Sequence, residues 1–203
     1  MFSSLPPAST ASLKLVICFS GKRKSGKDYL CKKLASKLED QGLRTEIRGV
    51  SFPLKEEYVR LHQEKLDIEK LKSDSDYKEK YRKDMADFGE RIRNQDSGYF
   101  CRKTMEYVSP KTQVVLISDC RRPTDIAYFR KHYQTFTIRI HCPVDMRKKR
   151  GFMFTPGIDD AETECALDEF QSWDTVLSNE EKEDQLEERL EKLLTDVINR
   201  IKS

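Results

Sequence analysis

The 203-residue sequence contains no long hydrophobic run. Its longest apolar stretch, Leu15 to Phe19, is too short to span a bilayer or to form the core of a signal peptide. The six cysteines include no C-x-x-C pair, and the three histidines lack the spacing of a zinc site. We therefore expect no membrane span, no disulfide framework and no zinc centre. Isolated, reduced thiols favour a cytosolic location.

A strong charge of either sign is also missing. The chain carries 38 basic and 35 acidic side chains, so its net charge of +3 gives no case for a nucleic-acid or membrane partner. The first twelve residues, MFSSLPPASTAS, predict a disordered leader, and their lack of arginine argues against a transit peptide. We expect residues 13–203 to form a single domain and the protein to be a monomer.

Five short apolar runs are present, and they predict β-strands. The first and third lack polar alternation, which is typical of strands covered on both faces. Apolar residues with helical spacing predict helices from Lys27 to Leu38, from Asp76 to Arg93 and near the carboxyl end. Alternating strands and helices favour an α/β sandwich around a mainly parallel sheet. The predicted strands are residues 13–19, 44–49, 114–117, 135–141 and 175–178.

The connection between the second and third predicted strands is unusually long. It spans about 65 residues, and its sequence is mostly charged and helical. A simple crossover between strands needs far fewer residues. We therefore expect a helical subdomain beside the sheet, at about residues 50–112.

The segment GKRKSGKD, from Gly21 to Asp28, follows the first predicted strand and precedes a helix. It matches the pattern G-x-x-x-x-G-K in the setting of a phosphate loop. Glycines let successive N–H groups point at an anion, the helix adds its positive end, and Lys27 reaches the β- and γ-phosphates. The predicted nucleotide-phosphate site comprises Gly21, Lys22, Arg23, Lys24, Ser25, Gly26, Lys27 and Asp28.

Asp28 stands where a Ser or Thr hydroxyl usually binds Mg²⁺. A carboxylate can also ligate that ion, directly or through water. The alternative is a plain acid at a helix start, which the helix dipole favours. Lys22, Arg23 and Lys24 also leave two interpretations open, because they are either solvated surface charges or groups that bind the transferring phosphoryl oxygens.

A second basic cluster follows the third predicted strand. Asp119 ends that strand and Arg121 and Arg122 come directly after it, at the edge where open α/β sheets bind ligands. An acid at this edge suits Mg²⁺ or its waters, and paired arginines suit bidentate binding of phosphate. The alternative is a pair of surface arginines.

Basic residues also lie after the fourth strand and in the long insertion. Arg147 and Arg150 predict either a lid over the phosphates, at about residues 143–158, or a solvated face. We expect most cations of the insertion to face water individually, but as a group they predict an anionic acceptor. They are Lys55, Lys78, Arg82, Arg91 and Arg93.

Six blocks of sequence occur in one order between about Leu13 and the carboxyl terminus: FSGKRKSGKD, PLKEEY, YKEKYRKDM, GYFCRK, SDCRRPTDI and FTPGIDDAETECALD. Together they resemble the animal-type phosphomevalonate kinases, and Asp28 belongs to that family's pattern. The resemblance implies a nucleoside-monophosphate-kinase-like P-loop fold. Its parts are a five-stranded parallel core, a substrate-binding helical insertion and a basic lid.

The resemblance also implies a reaction. The γ-phosphoryl group of ATP passes to the phosphate of (R)-5-phosphomevalonate, giving the diphosphate and ADP, in the mevalonate pathway of isoprenoid and sterol biosynthesis. We expect ATP as cosubstrate and Mg²⁺ as cofactor, held by Asp28 and Asp119. The candidate catalytic residues are Lys22, Lys27, Arg121 and Arg122.

Further binding residues follow from the same resemblance. Beyond the loop, the expected ATP contacts are Arg147, Arg150, Glu180 and Arg189, of which Glu180 and Arg189 stand where the family's nucleotide contacts vary. The expected contacts to the phosphorylated substrate are Lys55, Lys78, Arg82, Arg93, Arg121, Arg122 and Asn179.

Other functions remain possible from the sequence. A P-loop kinase for a nucleoside monophosphate or another phosphorylated metabolite would have the same fold. A guanine-nucleotide switch normally needs an N-K-x-D motif, which the sequence lacks. The near-zero net charge counts against a nucleic-acid-binding ATPase.

Overall fold

The computed structural model of the chain describes residues 12–62, 66–72, 76–180 and 183–203. The predicted leader lies outside these residues, except for Ser12. The strands are β1 (Leu15–Gly21), β2 (Thr45–Arg48), β3 (Val114–Ile117), β4 (Thr135–His141) and β5 (Thr175–Ser178). They form one sheet in the order β2-β3-β1-β4-β5, and every neighbouring pair is parallel. The predicted α/β class and parallel sheet are confirmed.

Helices cover the sheet and form the insertion. Those of the described residues are α1 (Lys27–Asp40), α2 (Ser51–Leu61), α3 (Ile68–Lys72), α4 (Asp76–Gln95), α5 (Tyr99–Glu106), α6 (Pro123–His132), α7 (Val144–Lys149), α8 (Glu162–Cys165) and α9 (Glu183–Lys202). The three predicted helices correspond to α1, α4 and α9. Strand β1 begins two residues later than predicted and runs on to Gly21, because its backbone pairs with β4 as far as Gly21 and Ile140.

The two faces of β1 lie in two separate apolar cores. Ile17 and Phe19 pack on one face with α1 and α9, where Leu34 and Leu190 are fully buried. Alternate residues such as Val16 point to the other face, which α5 and α6 cover. Because side chains of a strand alternate between faces, a strand buried on both sides must be apolar throughout. The result is a sheet between two helical layers.

The insertion between β2 and β3 contains α2, α3, α4 and α5. Tyr77, Tyr81 and Phe88 on one face of α4 pack with the buried Met85 against Tyr58 of α2. The helical spacing of these residues in the sequence therefore predicted the packed face correctly. This third apolar cluster holds the insertion together beside the sheet.

All six cysteines lie in the described part of the chain and none is in a disulfide; five of them are buried. Within the same residues, no helix is both long enough and apolar enough to cross a membrane.

The register of the strands brings their carboxyl ends to one edge of the sheet. Cys18 of β1 lies opposite Ile117 of β3, and Gly21 lies opposite Ile140 of β4. The segments that follow β1, β3, β4 and β5 therefore leave the sheet side by side. This edge carries the candidate site.

Candidate active site

The loop between β1 and α1 curls because two of its residues have positive φ angles. Lys24 has a φ of 60° and Gly26 a φ of 85°, and the Ser25 N–H donates to the Lys22 carbonyl at 3.1 Å. Such left-handed residues turn successive N–H groups toward one side and make an anion-binding nest. Helix α1 begins directly after Gly26, so its positive end lies at the same place.

Asn179 and Arg150 bind the backbone of the loop. Asn179 Nδ2 and Arg150 Nη1 both donate to the Ser25 carbonyl, at 2.7 and 3.1 Å. A Cβ at position 26 would lie 2.1 Å from Asn179 Nδ2, and its φ disfavours any L side chain. The second glycine of the loop is therefore required by both backbone angle and space.

Lys27 connects the loop to the end of β3. Its ammonium group donates to the Ser118 carbonyl and pairs with Asp28 at 2.6 Å. The Lys27 side chain is only 12% exposed, whereas that of Asp28 is 78% exposed. Lys27 is thus held beside the loop, and Asp28 presents a solvent-accessible carboxylate next to it.

Asp119 lies at the end of β3 and faces the first turn of α2. Its two oxygens accept the N–H groups of Val50 and Ser51, at 2.6 and 3.1 Å. Burial alone would raise the pKa of this carboxyl, but the bonds from Ser51 and the charges of Lys27 and Arg121 hold the pKa below its ordinary value. Asp119 is therefore a carboxylate that joins the insertion to the sheet.

Arg121 and Arg122 lie at the amino end of α6. Both backbone N–H groups donate to Asp125 at 3.1 Å, which caps the helix. The Arg121 guanidinium pairs with the buried Glu164. The Arg122 side chain is only 5% exposed and pairs with Glu90 and with Glu162.

The cations of the insertion divide into two groups. Lys55, Lys78 and Arg82 lie near one another and near Arg121, which follows β3. Burial and the positive charges of these three neighbours lower the pKa of Lys55. Arg93 instead pairs with Asp125, and its Nη2 lies 3.6 Å from Asp125 Oδ1. The Arg93 guanidinium also lies 5.0 Å from the ring centre of Phe100. Arg93 thus supports the cap that holds Arg121 and Arg122 in place.

Comparisons with known proteins agree with this arrangement. A family model described as phosphomevalonate kinase matches residues 19–135. A phosphomevalonate kinase of Drosophila melanogaster is 43% identical over 176 residues, which cover 84% of this chain and 90% of the relative.

The chain belongs to the phosphomevalonate kinase family. Among solved structures, shikimate kinase from Bacteroides thetaiotaomicron is similar with a TM-score of 0.50 and 17% identity, covering 90% of this chain and 98% of that chain. At this identity the likeness concerns the fold alone, which is that of the P-loop kinases. The resemblance inferred from the six sequence blocks is therefore confirmed, and the protein is an ATP-dependent phosphotransferase.

The remaining predicted residues of this kinase lie after β4 and β5. Arg147 donates to the Arg23 carbonyl at 3.4 Å. Arg150 lies one residue beyond α7, and it also donates to the Asn179 carbonyl at 3.0 Å. Glu180 is exposed and accepts a bond from the Ser178 hydroxyl, and Arg189 lies exposed on α9.

Sequence reasoning missed the acidic partners of the kinase's cations. They belong to the block FTPGIDDAETECALD, which had served only as a sign of the family. Four carboxylates of this block pair with predicted site residues: Asp159 with Arg23, Glu162 with Arg122, Glu164 with Arg121 and Asp168 with Lys22. The signal in the sequence is a dense acidic run in a chain whose loops at this edge are basic.

Proposed function

We propose that the protein transfers the γ-phosphoryl group of ATP to the phosphate of (R)-5-phosphomevalonate. The observation that carries the proposal is the position of cations from distant parts of the chain at one edge of the sheet. Lys27 donates to the carbonyl of Ser118, the residue before Asp119. Asp119 accepts the N–H of Ser51, whose hydroxyl lies 3.4 Å from Lys55 Nζ, and Arg121 lowers the pKa of Lys55. A family membership shared with the Drosophila phosphomevalonate kinase supports the choice of acceptor.

The chemistry of the reaction suits a site of this composition. A phosphate nucleophile is already anionic, so it needs no strong general base. The barrier comes largely from repulsion between two highly charged reactants, and preorganised cations and positioning lower it. Lys22, Lys27, Arg121 and Arg122 are the residues that we assign to this role.

The residues present fit the triphosphate of ATP. The nest at Lys24 and Gly26 and the positive end of α1 supply N–H donors, and the buried Ser25 hydroxyl has no hydrogen-bond partner within the described residues. We assign nucleotide binding to the loop from Gly21 to Asp28 and to Arg147 and Arg150. Glu180 and Arg189 would make peripheral contacts with the nucleotide. Lys55, Lys78, Arg82, Arg93 and Asn179, with the paired arginines, remain our proposal for the acceptor.

Mg²⁺ fits the same region through Asp28. Within the described parts of the chain, no group of three or more His, Cys, Asp or Glu side chains could hold a metal ion. Mg²⁺ is usually bound by only one or two carboxylates together with substrate phosphates, which matches the exposed Asp28. Each oxygen of Asp119 accepts one backbone N–H and keeps a further lone pair, so Asp119 remains our proposal for a second ligand, directly or through water. When bound, the ion would neutralise phosphate charge.

Two further parts of the proposal concern domain organisation and location. We infer that residues 13–203 act as one kinase domain, with about 50–112 as the substrate-binding insertion and about 143–158 as the lid. Six unpaired thiols support a cytosolic location.

An acceptor panel tests the function directly. Purified protein with ATP and Mg²⁺ would be given (R)-5-phosphomevalonate, the nucleoside monophosphates, mevalonate and shikimate, and ADP release would be measured. We expect turnover with phosphomevalonate and little with the others. Strong turnover of a nucleoside monophosphate and none of phosphomevalonate would favour the alternative kinase and reject our assignment.

The depressed pKa of Lys55 predicts a pH dependence of acceptor binding. Burial and the neighbouring cations lower this pKa from the ordinary 10.5, so Lys55 loses its proton at a lower pH than a free lysine. The KM for the acceptor should therefore rise as the pH increases through that lowered value. Lys55→Arg keeps its charge and should flatten the profile below the ordinary lysine pKa of 10.5, because a guanidinium group stays protonated throughout that range.

The exposed Lys32 of α1 provides the control for this experiment. Lys32→Arg makes the same chemical change away from the acceptor region and should leave the profile as in the wild type. An identical pH profile for the wild type and Lys55→Arg would show that Lys55 does not bind the acceptor in its charged form.

A further inference from the structure

Asp168 holds the ammonium group of Lys22. Its Oδ2 lies 2.6 Å from Lys22 Nζ, and the same ammonium donates to the Glu164 carbonyl at 2.8 Å. It also lies 3.4 Å from the sulfur of Cys165. Three groups of the segment around α8 therefore surround the first lysine of the phosphate loop.

The other oxygen of Asp168 binds a partly buried arginine of the sheet. Arg139 lies on β4, in register with Ser20 of β1, and its side chain is only 16% exposed. Its Nη2 lies 2.9 Å from Asp168 Oδ1, and its Nη1 donates to the Ser20 hydroxyl at 3.0 Å. Asp168 thus connects a central strand of the sheet to the end of a long lysine side chain.

Lys22 needs such a support for a physical reason. A free lysine side chain has several rotatable bonds, and fixing it in one rotamer costs conformational entropy. Two further cations, Arg23 and Lys24, follow it directly in the chain and repel its ammonium group. Without a carboxylate nearby, both effects favour an ammonium group that points away into water.

We propose that Asp168 is a positioning residue for catalysis: anchored by Arg139, it holds the Lys22 ammonium where the transferring phosphoryl group is bound. The inference rests on the proposed role of Lys22 in that step. It adds two residues, Asp168 and Arg139, that the motif does not contain. Asp168 itself acts through Lys22 and does not touch the reacting atoms.

Positioning and simple charge neutralisation predict opposite results for Asp168→Asn. The amide removes a negative charge near the nucleotide, so electrostatics alone would strengthen ATP binding and leave kcat unchanged or higher. Loss of positioning would instead lower kcat, because Lys22 samples unproductive rotamers. We expect kcat to fall about fivefold to tenfold, the scale of one ordinary hydrogen bond, because the asparagine oxygen can still accept a weaker bond from Lys22. The KM for ATP should stay the same or decrease.

A double-mutant cycle with Lys22 provides the decisive measurement. Lys22→Met, Asp168→Asn and the double variant would be assayed with the wild type for kcat and both KM values. If Asp168 acts through Lys22, Asp168→Asn should change kcat less than twofold in the Lys22→Met background. Glu169→Gln, which removes an exposed charge at the neighbouring position, is the control and should retain wild-type kcat. Asp168→Glu should recover part of the loss.

The possible outcomes separate the proposal from its alternatives. A fivefold to tenfold loss in kcat that disappears in the Lys22→Met background supports it. An unchanged or raised kcat, or an equal loss in both backgrounds, overturns it. Thermal melts of all variants identify a loss caused by unfolding, and a fall in kcat that matches the unfolded fraction also overturns it.

Failure of the proposed function would look different. In that case the wild type would show no turnover with (R)-5-phosphomevalonate in the acceptor panel. The chain has one tryptophan, Trp173, whose ring centre lies 5.9 Å from the Arg139 guanidinium. The fluorescence of Trp173 can follow ATP binding without any acceptor. If Asp168 positions Lys22, Asp168→Asn should change the fluorescence response to ATP, whereas Glu169→Gln should not. Identical responses in the wild type and Asp168→Asn would count against the proposal.

Discussion

Replacing Lys27 with methionine is expected to lower kcat about 10²–10³-fold, the scale of losing one preorganised charge contact in an active site. The ammonium group is fixed between the Ser118 carbonyl and Asp28, at the point where the nest and the positive end of α1 meet. Its position is set before substrates bind, so its loss should affect the transition state more than ground-state binding. Steady-state kinetics with saturating ATP and acceptor would measure the effect.

Lys27→Met should lose some stability but remain folded. Methionine has a similar length and keeps the apolar part of the side chain, and the Ser118 carbonyl loses one charged donor, at a cost of about 1–3 kcal/mol. Lys32→Met, on the exposed side of α1, is the matched control and should retain activity. A folded Lys27→Met protein with near-normal turnover would show that the loop does not serve the transferring phosphoryl group.

Most of the fold could be predicted from the sequence because its determinants are local. Strand β1 is buried on both faces, and its continuous apolar run is visible without knowledge of its neighbours. The packed faces of α4 and α9 follow from apolar spacing alone. Only the ends differ: β1 extends to Gly21 because of its pairing with β4, which no local pattern reveals.

The sequence predicted the individual motifs of the site but not the contacts between them. The loop and the paired arginines carry recognisable motifs, but Asp168 is 146 positions from Lys22, and their contact depends on how the segment around α8 packs. Similarly, the position of Asp119 at a strand end suggested a metal ligand. The structure adds the N–H groups of the insertion, whose placement beside β3 is a long-range property. Spacing rules cannot supply such contacts.

Arg121→Ala and Arg122→Ala are each expected to lower kcat about 10²-fold while the chain stays folded, because each removes a cation that we propose to bind the transferring phosphate. Their structural consequences differ. Arg122 pairs with Glu90 and Glu162, which remain partly solvated, so its loss strands no buried charge. Arg121 pairs with Glu164, whose side chain is only 4% exposed. Removing Arg121 leaves the buried Glu164 carboxylate without its partner and should lower the free energy of unfolding by about 1–3 kcal/mol.

This difference allows catalysis and stability to be separated at one position. The double variant Arg121→Ala/Glu164→Gln removes the stranded charge, so its melting temperature should return toward that of the wild type. Its kcat should stay low, because the missing cation is not replaced. Arg60→Ala, an exposed arginine of α2, controls for loss of a positive charge and should keep both properties. If the double variant regained activity together with stability, Arg121 would be a structural residue, and the cation cluster at this edge would lose its proposed role in bringing two anions together.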